Sequence, residues 1–170
     1  MPPARARPVV RALLVASLVV LAGCADPAPR AEGVVPWSFT DLDGATHSNA
    51  TTAGAPVLLF FMASWCTTCR AKAPMLAEVH AEHAPRGLQA FSLSFDPNDG
   101  PAELEAWRRE HAHPWPHGVD PSLAVQRAFG VTSQSSVVVL DAEGRVVEAW
   151  GYPGPREDAL RAALDAAFAG

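Results

Sequence analysis

The sequence predicts an α/β domain with a mixed central β-sheet and helices on both faces. Three observations carry this. Val57–Met62 is an unbroken apolar run, as a strand buried on both faces requires. It leads into a helical stretch and then a second strand-like run over 88–95, the pattern of a strand–helix–strand unit with parallel pairing. Segments 137–140 and 145–150 flank Asp141-Ala-Glu-Gly144, a hairpin signal that adds antiparallel strands.

In chain order, residues 35–40 form an edge strand that runs into a turn at Asp43-Gly44. After Val57–Met62 a helix begins near Cys66 and continues towards His83, with Pro74 inside it as a kink point. Asp99-Gly100-Pro101 starts the next helix, which places Leu104, Trp107 and His111 on one face. Asp120-Pro121 starts a short helix with Val125 and Phe129 facing inwards and Gly130 at its end. Leu160, Leu164 and Phe168 recur every four residues, giving a closing amphipathic helix.

The first 33 residues read differently. Arg5, Arg7 and Arg11 precede a short apolar stretch over 12–22, the layout of an export signal and too short for a membrane-crossing helix. Leu21-Ala-Gly-Cys24 resembles the lipobox of bacterial lipoproteins, which implies cleavage of 1–23 and lipid on Cys24. Residues 24–33 carry prolines and charges and read as a tether, leaving 34–170 as one domain. Loss of the three arginines moves the formal charge from −5 to −8. So acidic a domain is a poor nucleic-acid binder.

The chain has three cysteines. With Cys24 carrying lipid, Cys66 and Cys69 remain as a pair in a compartment where disulfides persist. A bridge that closes so short a loop stabilises little, which favours redox work over stapling. The pair falls in Trp65-Cys-Thr-Thr-Cys69, at the junction of a buried strand and a helix. Unpaired N–H groups at a helix start favour thiolate over thiol. The spacing lets the second sulfur attack a mixed disulfide formed on the first.

These residues carry a resemblance. Ala63-Ser-Trp-Cys-Thr-Thr-Cys-Arg-Ala-Lys-Ala-Pro74, together with Phe39-Thr-Asp-Leu-Asp-Gly44, Phe129-Gly-Val131 and Leu140-Asp-x-x-Gly144, resembles the thioredoxin-like superfamily. The similarity is to its membrane-anchored extracytoplasmic thiol–disulfide oxidoreductases of the TlpA/ResA type. The resemblance implies a thioredoxin-like fold and reduction of protein disulfides, with apocytochrome c a substrate of some members. It also implies electrons from a membrane thiol donor, and no cofactor. Cys66 is then the nucleophile and Cys69 the resolving thiol, with Trp65, Thr67, Thr68 and Pro74 shaping the site.

Three positions depart from the family pattern. The proline that usually forms a cis peptide facing the cysteines is replaced by Ser135. A cis bond before a non-proline residue costs about 3 kcal/mol, so the 134–135 bond is expected to be trans. Phe60 stands where thioredoxin has a buried acid, and Lys72 where many relatives have a glutamate. Lys72 is the only lysine of the chain.

Two other activities are compatible with parts of the sequence. Cys66 and Cys69 with one of His111, His113 and His117 would suit delivery of a soft metal such as copper(I). Histidines after a helix end are, however, expected to face solvent or cap the helix. Segment 93–97, the insert after it and the absent cis-proline leave room for a thiol peroxidase on the same fold.

Overall fold

The computed structural model describes residues 33–170. The signal over 1–23, Cys24 and all but the last residue of the tether lie outside the described residues.

The chain forms a hairpin of β1 (Ser38–Thr40) and β2 (Thr46–Ser48), then β3 (Val57–Met62) and α1 (Thr67–His83). Next come β4 (Gln89–Ser94), α2 (Pro101–Glu110), β5 (His117–Val119) and α3 (Ala124–Ala128). The hairpin β6 (Ser136–Leu140) and β7 (Val146–Trp150) and the closing helix α4 (Glu157–Ala169) follow. A five-stranded sheet has the order β5-β4-β3-β6-β7, with β3, β4 and β5 parallel and β6 and β7 antiparallel to their neighbours.

The expected mixed sheet is therefore present, with β3 at its centre. All six residues of β3 are buried, and their alternation divides the core in two. Leu58, Phe60 and Met62 pack with Leu76 and Val79 of α1, Leu104 and Trp107 of α2, and Leu160 and Leu164 of α4. Val57, Leu59 and Phe61 pack on the other side with Val125, Trp37 and Phe39. Phe60, at the position of the family's buried acid, is a fully buried core residue.

Three elements differ from expectation. Strand β5 follows no visible pattern in the sequence; Gly118 makes its placement possible. A Cβ there would lie 2.7 Å from the Phe39 ring and 2.8 Å from the Thr40 carbonyl oxygen. The helix expected at Asp120-Pro121 starts only at Ala124. The Asp120 carboxylate nevertheless caps it at a distance, accepting from the N–H groups of Ala124 and Gln126, each at 2.9 Å. The histidines after α2 do not all face solvent. His113 and His117 are buried, the first stacked on Trp115 with ring centroids 4.0 Å apart. Each has one ring nitrogen on a main-chain carbonyl, Ala73 at 3.1 Å and Trp115 at 3.0 Å.

Candidate active site

The site forms where β3 ends and α1 begins. Cys66 is the N-cap residue of α1, with extended backbone, and Cys69 lies in the first helical turn. The two are joined by a disulfide, with Cα atoms 5.2 Å apart. Cys66 is 2 % exposed and Cys69 fully buried, so a partner reaches the pair through Cys66. The Cys66 sulfur accepts the main-chain N–H of Cys69 at 3.0 Å. An N-cap side chain that accepts an otherwise unpaired N–H stabilises negative charge on itself. The first turn of α1 contains no acidic residue to oppose it. The same sulfur, once reduced, is therefore placed to be a thiolate.

Two acids from the β4–α2 connection hold the turn before Cys66. The Asp99 carboxylate, 5 % exposed, accepts from the Ser64 main-chain N–H at 2.8 Å, from the Ser64 hydroxyl and from the Ser94 hydroxyl at 2.5 Å. The Ser64 carbonyl in turn accepts from the Arg70 guanidinium at 3.1 Å. Ser64 is thus fixed on both sides of its peptide plane. Asp96 accepts from the Trp65 indole N–H. Main-chain donation from Asn98 and the Trp65 indole hold the Asp96 carboxyl below the usual carboxylate range. Trp65 stands out into solvent at 57 % exposure, beside a groove of about 350 Å³ lined by Arg70, Trp107 and Glu110.

The opposite side of the pair is closed by residues 151–155, between β7 and α4. The Thr68 hydroxyl lies 3.3 Å from the Tyr152 hydroxyl. Lys72 donates from Nζ to the Pro155 carbonyl at 2.6 Å. Ser135 donates from its hydroxyl to the Pro153 carbonyl at 3.2 Å. The 134–135 peptide is trans, and Ser135 has a φ of +61°. Tyr152–Pro153 is the cis peptide bond recorded among the described residues. Gly154 fits against Ser135 because it lacks a Cβ, which would sit 2.5 Å from the Ser135 carbonyl oxygen.

The structure thus brings together Trp65, Cys66, Thr68, Cys69, Lys72 and Ser135. Thr67 is exposed in the same helical turn, and Pro74 lies on the exposed face of α1. Sequence reasoning missed Ser64, Asp96, Asp99 and Tyr152. The acids had one signal, their place in the insert after β4; Tyr152 had none. No three histidine, cysteine, aspartate or glutamate side chains among the described residues gather to hold a metal ion.

A family model described as the AhpC/TSA family matches residues 25–149. The chain belongs to the AhpC/TSA family. Among relatives, it is 24% identical over 109 residues to the thiol-disulfide oxidoreductase ResA of Bacillus thuringiensis, covering 64% of this chain and 62% of that one. The match thus spans about three fifths of the length of ResA. It is 35% identical over 136 residues to the soluble secreted antigen MPT53 of Mycobacterium bovis, covering 69% of this chain and 75% of the relative. A thioredoxin-family thiol:disulfide interchange protein from Chlorobium tepidum superposes with a TM-score of 0.68 at 21% identity. That superposition covers 85% of this chain and 99% of the other. This AhpC/TSA member therefore has the thioredoxin-like fold. Its cysteine pair occupies the helix N-terminus that makes such chemistry possible.

Proposed function

We propose that the chain is an extracytoplasmic thiol–disulfide oxidoreductase that reduces disulfides of envelope proteins through Cys66 and Cys69. The observation that carries this reading is the closed bridge between a sulfur at the helix N-cap and one in the first turn. In the reduced form the Cys66 thiolate attacks a partner disulfide. A mixed disulfide forms and one partner sulfur leaves as thiolate. Cys69, after giving up its proton, attacks the Cys66 sulfur; the bridge closes and the second partner sulfur leaves. Two electrons pass from the dithiol to the partner, and the released thiolates take up the two protons. A membrane dithiol donor would return the protein to its reduced form. The resemblance to ResA-type proteins supports apocytochrome c as one such substrate. The sequence Leu21-Ala-Gly-Cys24 supports a lipid anchor on Cys24 in a bacterial membrane. No helix among the described residues is long and apolar enough to cross a membrane.

Insulin reduction by the purified domain tests this. Cys66→Ala abolishes turnover, and Cys69→Ala accumulates a mixed disulfide with the substrate. Full activity of both variants would rule the scheme out. A parallel peroxide-consumption assay separates it from a thiol peroxidase, which would consume peroxide faster than it reduces insulin. The midpoint potential of the pair sets the direction of electron flow. A value of about −270 mV marks a reductant, and one of about −120 mV an oxidant.

A further inference from the structure

Resting on that reading, the structure also indicates how a partner is chosen. Among the described residues, the exposed large apolar side chains are Val34, Trp65 and Tyr152. Val34 bridges to Arg145, beside the β6–β7 turn. The other two flank the disulfide: Trp65 adjoins Cys66, and Tyr152 reaches Thr68. They approach from different connections. Asp96 draws Trp65 towards the β4–α2 side, while Tyr152 belongs to the β7–α4 side. Leaving two aromatic rings in water at 57 % and 59 % exposure is unfavourable unless a partner covers them.

The segment bearing Tyr152 is fastened to the redox site. Thr68 lies between the cysteines, Lys72 follows one turn later and Ser135 replaces the usual proline. All three bond to residues 151–155. A fourth tie runs from the Tyr152 main-chain N–H to the Ser133 hydroxyl at 3.2 Å. Two of the family departures thus serve to hold one loop against the cysteines.

We infer that Tyr152 is a specificity-determining residue, which with Trp65 grips an extended polypeptide segment bearing apolar side chains beside its disulfide cysteine. The chemistry dictates the occupant. Cys66 is almost buried, so a partner sulfur must enter between the two rings. The chain on either side of that sulfur then lies across them. A small disulfide makes the same sulfur contact without covering the rings.

The test compares insulin with hydroxyethyl disulfide, using the reduced full domain with its wild-type cysteines. Tyr152 is exposed, so its substitution leaves the core intact. Tyr152→Ala lowers kcat/KM for insulin about ten-fold, chiefly through KM, and lowers it less than about two-fold for the small disulfide. Tyr152→Phe keeps the ring and restores the insulin value to within about two-fold of wild type. An equal loss on both substrates, or no loss on insulin, overturns the inference while the redox reading stands. A wild-type protein inactive on both substrates overturns the redox reading itself, and this inference with it.

Discussion

Asp99 accepts both the main-chain N–H and the hydroxyl of Ser64, two residues before Cys66. A buried carboxylate on a loop 35 residues further along the chain therefore fixes the turn that presents the nucleophile. Replacing it by alanine leaves the Ser64 N–H and the Ser94 hydroxyl without their acceptor. Asp99→Ala is expected to cost about 2–4 kcal/mol, read from the urea midpoint. Asp99→Asn keeps an acceptor oxygen and should recover about half of the loss. Equal midpoints for wild type and Asp99→Ala would show that the turn does not depend on this carboxylate.

Lys72 acts on the other side. Its ammonium is spent on the Pro155 carbonyl, tying α1 to the loop over the cysteines. Lys72→Met removes that bond and should destabilise the domain by about 1 kcal/mol, whereas Lys72→Arg retains a donor and most of the stability. Limited proteolysis is expected to cut within 151–155 sooner in the methionine variant. Identical cleavage in all three proteins would count against the tie.

Acid should weaken the fold through two buried rings. Burial lowers the pKa of both His113 and His117 to about 4, from 6.5 for an exposed imidazole. Between these values the unfolded chain binds protons that the folded chain refuses. Stability is therefore full above about pH 6.5 and falls as pH drops towards 4, by on the order of 3 kcal/mol per ring over the whole window. Urea unfolding at pH 7.5 and 4.5 measures it. His113→Gln should flatten the dependence, and an unchanged slope would remove His113 as a cause.

Gly118 is the tightest point of β5. Gly118→Ala drives a methyl into the Phe39 ring and the Thr40 carbonyl. The expected cost is about 1–3 kcal/mol, visible as a lower thermal midpoint. A midpoint equal to wild type would mean that the β1–β2 hairpin moves away freely.

The parts legible in the sequence are those with local causes. The apolar run of β3, the Asp141–Gly144 turn and the four-residue spacing of Leu160 and Leu164 each declare their element without help from the rest of the chain. The cysteines do so too, since a strand end and a helix start are both readable around them. Strand β5 is three residues long and sits behind Pro114 and Pro116, so no period can develop. His113 and His117 read as solvated because nothing local shows that Trp115 and the Ala73 carbonyl will cover them. The delay of α3 to Ala124 follows from Leu123, whose positive φ of 55° no sequence rule requires of a leucine. Tyr152 was invisible for the same reason: its neighbour Thr68 is 84 residues away in the chain.

The five tryptophans are unevenly placed. Trp37, Trp107 and Trp115 are buried and Trp150 is half-buried, so Trp65 is the one whose indole looks into water. It adjoins the sulfur that changes state. A disulfide quenches the light emitted by a neighbouring indole, and a dithiol quenches it less. The protein therefore carries a built-in optical gauge, by which each turnover can be followed without a dye.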